Sequence, residues 1–138
     1  MISNLKDQLL RDEELRLKPY TDSVGKLTIG VGRNLSDKGI SFQEAQMLLV
    51  NDIGAALSEL QSALPWTATL DDVRKGAMLN MTFNLGIGGL LEFHDFLARM
   101  QRGDFPGAAG AMLDSLWARQ VGARATRLSI QIEKGTWQ

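Results

Sequence analysis

Three side chains stand at a spacing that suits bond hydrolysis: Glu13, Asp22 and Thr28, with eight residues between the first two and five between the last two. A glutamic acid can donate a proton to a leaving oxygen. An aspartate can activate a water molecule, and a threonine hydroxyl can hold that water from a second side. Hydrolysis of a glycosidic bond typically needs two carboxyl groups in different environments, one protonated and one ionised. Glu13 falls among Leu10, Leu15 and Leu17, where a dry pocket could form. Asp22 lies beside Thr21 and Ser23 in a polar stretch and would be better solvated. Spacing alone is weak, because all three residue types are common. A surface helix glutamate, a turn aspartate and a strand threonine describe the same positions without any chemistry.

Other chemistries are poorly supplied. The chain has no cysteine, which removes disulfides, zinc–thiolate centres and thiol nucleophiles. His94 is the single histidine. It cannot build the usual multi-histidine metal site, and no Gly-x-Ser-x-Gly elbow accompanies it. An ordinary, partly exposed helical histidine is the better description. Gly30-Val31-Gly32 resembles the start of a dinucleotide fingerprint, but the third glycine and the following helix are missing, so these glycines are assigned to turns or to a close backbone approach. No bound metal or organic cofactor is expected.

The elements that must position the three residues follow from periodicity. Residues 3–14 read as an amphipathic helix, with Ser3 as cap and Ile2, Leu5, Leu9 and Leu10 near one face. Pro19 makes continued helix unfavourable from Lys18 on. Residues 19–35 alternate and contain Gly25, Gly30 and Gly32, the pattern of a small hairpin or meander. Ser41 to Glu44 matches a capping box. Behind it Ala45, Leu48, Leu49, Ile53, Ala56, Leu57 and Leu60 give one apolar face to a helix long enough to join two lobes. Thr69 is the expected cap of the next helix. That helix is apolar almost all round between Val73 and Leu85, as a buried central helix is, and Gly86, Gly88 and Gly89 are expected to stop it. Shorter helices are expected at 93–102, 105–114 and 122–134. The coarse class is a small β element in an otherwise helical protein.

Composition is ordinary for a globular chain of 138 residues, at 44% hydrophobic and 22% charged. The net charge of −1 gives no general attraction to nucleic acid or membrane. Arg119, Arg124 and Arg127 form a local basic cluster near the end. Nucleic acid is not expected as a partner; anionic wall or membrane phosphates fit the cluster better. The first residues carry charges too early and too often for a signal peptide, so synthesis in the cytoplasm is the expectation.

The residues around the trio add a specific signal. The segment DEELRLKPYTDSVGKLTIGVGRNL closely resembles the active-site segment of the phage-type lysozymes. Glu13, Leu15, Arg16, Leu17, Tyr20, Asp22, Gly25, Thr28, Ile29, Gly30 and Gly32 all fit its pattern. Leu79 to Gly86 is similar to the family's central-helix segment. Ser115 to Arg127 and Gly135 to Trp137 are similar to later segments, so the resemblance spans nearly the whole chain.

The resemblance implies a lysozyme-like α+β fold, mainly helical, in a single domain over 1–138. A small β-containing lobe would occupy about 13–41 and an interlobe helix about 42–62. The helical lobe would occupy about 66–138 and include the N-terminal helix 3–12. It implies an endolysin that cleaves the β-1,4 bond between N-acetylmuramic acid and N-acetylglucosamine, with Glu13 as general acid and with Asp22 and Thr28 holding the attacking water. Tyr20, Phe83, Asn84, Trp117 and Arg124 become cleft residues, Arg124 as the family's arginine beside the catalytic glutamate. For Phe83 and Trp117 a place in the helical core fits equally well. The partners implied are peptidoglycan glycan strands and, functionally, a holin-type membrane lesion, for a monomer acting in the periplasm or wall. A silent wall-binding protein and a chitinase-like glycosidase are the alternatives. Two departures stand out. The stretch between Leu35 and Ser41 is short, which predicts a reduced N-terminal lobe. Arg33 occupies the place of a family histidine that pairs with an aspartate, and Asp52 is the expected partner.

Overall fold

The computed structural model describes residues 1–138. The chain is α+β and mainly helical, as expected, and it divides into two compact units, Met1–Leu48 and Leu49–Gln138. The division falls within one long helix. It groups the N-terminal helix with the sheet, whereas the sequence expectation groups that helix with the later ones.

The first unit opens with α1 (Ile2–Asp12). Ser3 is not its cap: the helix starts one residue earlier, after Met1, with no side-chain cap. Glu13 ends it with extended backbone angles, φ −99° and ψ 143°, so the chain passes almost directly from helix to strand. The strands are β1 (Leu15–Thr21), β2 (Leu27–Val31) and β3 (Arg33–Asn34), antiparallel in the order β1-β2-β3. Tyr20 faces Thr28 and Arg16 faces Gly30, so four residue steps of β1 match two of β2. Leu17, Lys18 and Pro19 lie in that irregular stretch. Proline has no N–H for a ladder, and a bulge is one of the few sheet positions that tolerate it. From Leu15 to Thr21, β1 therefore advances only as far as β2 does from Val31 to Leu27. That is about 14 Å rather than about 20 Å at the usual strand rise.

The second unit is built on packing. It contains most of α2 (Phe42–Ala63), a short 3₁₀ turn at Pro65–Thr69, and α3 (Asp72–Leu91). Four shorter helices follow: α4 (His94–Gln101), α5 (Phe105–Leu113), α6 (Leu116–Val121) and α7 (Ala123–Lys134). Asp71, not Thr69, caps α3 by accepting the Arg74 N–H at 3.0 Å. Thr69 closes the preceding 3₁₀ turn instead, donating to the Trp66 carbonyl. Ala77, Met78 and Met81 bury one side of α3, while Asn80, Phe83 and Asn84 leave the other open, so the helix is central but not enclosed. Gly86 does not stop it. At φ +73° this glycine kinks the helix, which resumes because Leu90 beyond it is fully buried in the core. That core gathers Leu60, Phe96, Met100, Met112, Leu128 and Ile132 around the α3 residues. Arg74 closes the carboxyl end of α7, donating to the Ile132 carbonyl at 2.6 Å and the Glu133 carbonyl at 3.1 Å while lying over the Phe105 ring. No helix is long and apolar enough to cross a membrane.

Candidate active site

The hairpin between β1 and β2 determines how Asp22 and Thr28 are held. Its turn closes with the Gly25 N–H donating to the Asp22 carbonyl at 3.1 Å, and Gly25 takes φ +83°. A short hairpin loop that ends in a left-handed residue requires glycine at that place. The Asp22 side chain then locks the loop. Its Oδ1 accepts from the Val24 N–H at 3.0 Å and from the Lys26 N–H at 2.8 Å, which leaves Oδ2 without a protein partner. Asp22 also donates its own N–H to the Lys26 carbonyl at 2.8 Å.

That carbonyl has a second donor, the Thr28 hydroxyl at 3.0 Å. The backbone of one residue, Lys26, thus orients both side chains, Asp22 by its N–H and Thr28 by its carbonyl. Because the Thr28 proton is committed to a carbonyl, its oxygen can only accept a further hydrogen bond. Thr28 is 4% exposed and Asp22 is half-buried. The pair presents two acceptors, Asp22 Oδ2 and Thr28 Oγ1, and spends its donors on backbone. A water bound there would give up both hydrogens and keep a lone pair free.

Glu13 is exposed and stands at the other end of β1, at the junction with α1. Its N–H still donates to Leu9, at 2.8 Å. The carboxyl end lies against Gly32, in the turn between β2 and β3. β3 is in turn anchored by Arg33, whose guanidinium binds both carboxylate oxygens of Glu44 at 2.7 and 3.1 Å and the Gly39 carbonyl at 3.2 Å. Arg33 is therefore paired with Glu44, in the first turn of α2, whereas Asp52, the expected partner, belongs to the second unit. The Glu44 carboxyl is held below its ordinary value by the hydrogen bonds from Arg33. Its backbone N–H still donates to the Ser41 hydroxyl oxygen at 3.1 Å, so half of the expected capping box forms. Tyr20 is half-buried beneath Arg16, whose guanidinium lies 4.7 Å from the ring centroid.

The other residues singled out from the sequence lie in the second unit. Phe83 is half exposed and, with Leu49, Ile53, Leu79 and Trp137, lines an apolar groove of about 360 Å³ whose polar edge is Asn80 and Arg124. Arg124 donates to the Asn80 side chain at 2.9 Å and to its carbonyl at 3.3 Å. Trp117 is not a surface platform. It is 6% exposed, packs edge-on against Phe93, and donates its indole N–H to Asn84 at 2.8 Å. Its contribution is to fix Asn84, which is exposed. His94 is exposed at the start of α4. Sequence reasoning missed Lys26, Glu44 and Trp137. Lys26 acts through its peptide, which no side-chain pattern reports, and the carboxylate of Glu44 was already accounted for by the capping motif.

A mainly helical chain with a small three-stranded antiparallel sheet is of the lysozyme-like α+β class. The chain matches the phage lysozyme family over residues 11–131 and belongs to it. Membership supports a muramidase-type glycosidase. The chain is 30% identical to probable T4-type lysozyme 1 of Dictyostelium discoideum, covering 99% of this chain and 97% of that protein. It is 27% identical to probable T4-type lysozyme 2 of the same organism, with the same coverage. It is also 29% identical to the pre-baseplate central spike protein of Enterobacteria phage T4 over 96% of this chain, and there it spans only 28% of the longer protein.

Proposed function

We propose that this chain is an endolysin-type muramidase, which hydrolyses the β-1,4 bond between N-acetylmuramic acid and N-acetylglucosamine in peptidoglycan. The observation that carries the reading is the Lys26 backbone, which holds Asp22 by its N–H and Thr28 by its carbonyl and leaves Asp22 Oδ2 and Thr28 Oγ1 free to accept from water. Glu13, as the carboxylic acid, donates its proton to the glycosidic oxygen as the bond to the anomeric carbon breaks. The water attacks that carbon from the opposite face, and its proton passes to Asp22. Solvent then restores both groups. Such single displacement inverts the anomeric centre and needs the carboxyl groups about 6.5–9.5 Å apart. The bulge in β1 supports this geometry by shortening the path between the Glu13 and Asp22 ends of the strand.

Tyr20, Phe83, Asn84 and Arg124 offer the apolar faces and hydrogen-bonding groups that a glycan strand needs. On this reading the protein acts as a monomer, is made in the bacterial cytoplasm, and reaches the wall through a holin-type lesion. The resemblance to two probable lysozymes over nearly their full length supports the substrate class.

The test is mass spectrometry of products released from purified peptidoglycan by the wild type and by Glu13→Gln. Reducing N-acetylmuramic acid ends are expected from the wild type, with loss of about 10²–10⁴-fold in the variant, the usual share of a general acid. Wall binding without release would turn the reading to a silent binding protein. Release unchanged in the variant would remove Glu13 from its role.

A further inference from the structure

We infer that Gly32 is the positioning residue for Glu13, its bare Cα forming the wall against which the carboxyl group lies. A Cβ built on Gly32 would meet Glu13 Oε2 at 3.4 Å, Cδ at 3.6 Å and Cγ at 4.0 Å, and outside its own chain neighbours no atom comes nearer. The open side of Gly32 thus faces the carboxyl end of Glu13. Oε2 is the carboxyl atom nearest to that side. Gly32 also sits at φ +71°, between the end of β2 and the start of β3.

The fold supplies its own control. Gly30, two residues earlier, takes φ +70°, yet a Cβ there would find nothing within 4 Å. The two glycines share the same backbone requirement. They differ in what lies beside them, and only Gly32 has a carboxyl group there. A methyl at Gly32 would reach ordinary contact with Oε2 and take the place of solvent along one edge of the carboxyl group. A methyl at Gly30 would strain the backbone equally and touch nothing.

This role rests on the proposed muramidase reading, but the contact itself can be measured without any activity. The ¹³C signal of the Glu13 carboxyl carbon is recorded in the wild type, Gly30→Ala and Gly32→Ala, alongside thermal midpoints and steady-state kinetics on a soluble peptidoglycan fragment. Both alanine variants are expected to lose similar thermal stability. Gly32→Ala is expected to move the Glu13 signal and to lower kcat about 10- to 100-fold with KM within about twofold, as misplacement of a reacting group does. Gly30→Ala is expected to leave the signal in place. If Gly32→Ala does not fold, Gly32→Asn gives the same comparison, because asparagine tolerates positive φ better than alanine. Equal kcat in the two glycine variants, or a Glu13 signal unmoved by substitution at Gly32, overturns the inference. A wild type that moves no substrate while the signal responds at Gly32 only would keep the contact and sink the muramidase reading.

Discussion

The two units hold themselves together by different means. In Met1–Leu48 only one residue, Thr28, is buried; in Leu49–Gln138 an apolar core runs from Ala56 to Ile132. The second unit is stable because side chains fill space, and most of its buried residues are interchangeable in kind. The first unit is shaped by hydrogen bonds and by the Arg33–Glu44 ion pair, with Asp22, Lys26 and Arg33 each serving several backbone groups or a facing charge. Its single buried side chain belongs to the candidate catalytic set. Polar groups that must meet a substrate cannot sit in a filled core, so their geometry has to come from turns and strand ends. The comparison predicts that damage to the second unit is read as lost stability, and damage to the first as lost chemistry.

The largest stability effect is expected at Trp117. Trp117→Ala removes a buried ring and leaves the Asn84 amide without its indole donor. Loss of about 3–5 kcal/mol is expected for a large core aromatic, or a fall of roughly 10–15 °C in Tm. Turnover per folded molecule should change far less. A thermal scan showing almost no loss would mean that the ring is not part of a close-packed core.

A smaller effect in the same unit has a sign that can be reversed. Gly76 lies in the interior of α3 beneath the Trp137 ring, so a Cβ there overlaps the indole. Gly76→Ala should cost about 1–3 kcal/mol through overpacking. With Trp137→Ala already in place, the same change should stabilise by up to about 1 kcal/mol, the helical advantage of alanine over glycine. Denaturant midpoints of the four proteins in this cycle decide it. Additive effects would show that the tail does not pack on α3.

Thr28→Val sharpens the contrast from the other side. The lost hydroxyl donated to a carbonyl that keeps the Asp22 N–H as partner, so no buried acceptor is orphaned. The expected stability loss is about 1 kcal/mol or less. If Thr28 holds the attacking water, peptidoglycan hydrolysis should fall by about 10²-fold, or nearly 3 kcal/mol in transition-state terms. A rate that falls only in step with the folded fraction would make Thr28 a structural residue.

The same division explains what was legible in the sequence. Helical periodicity marked α2, because burial on one face of a long helix repeats in the residues themselves; α4, α5 and α7 fall close to their expected bounds, and α6 was not expected. The trio was legible from its spacing and its surrounding segment. The bulge at 17–19 was not, since alternation over so short a run cannot show residues leaving a ladder. Thr69 and Asp71 are both capping types two positions apart, and only the 3₁₀ turn between Pro65 and Thr69 decides between them. Three glycines at 86, 88 and 89 looked like a stop. They became a kink because the apolar residues on either side of Gly86 found places in one core. Trp117 could be read as core or as cleft, and burial made it core.

The Arg33–Glu44 pair offers the mildest test, and its pH dependence has a defined sign. Hydrogen bonds from Arg33 lower the Glu44 carboxyl below its ordinary value of 4.5. The folded state therefore prefers the ionised form more strongly than the unfolded chain does. The stabilisation is present above 4.5 and disappears as pH falls through the lower folded value. Both side chains remain partly exposed, at 30% and 42%, so salt should screen the pair. Glu44→Gln is expected to speed amide exchange at Arg33 and Asn34 at neutral pH and low salt. The difference from wild type should shrink with added salt and vanish well below pH 4.5. A difference that persists in acid would mean that β3 is held by packing rather than by charge. The first unit would then resemble the second more closely than its burial suggests.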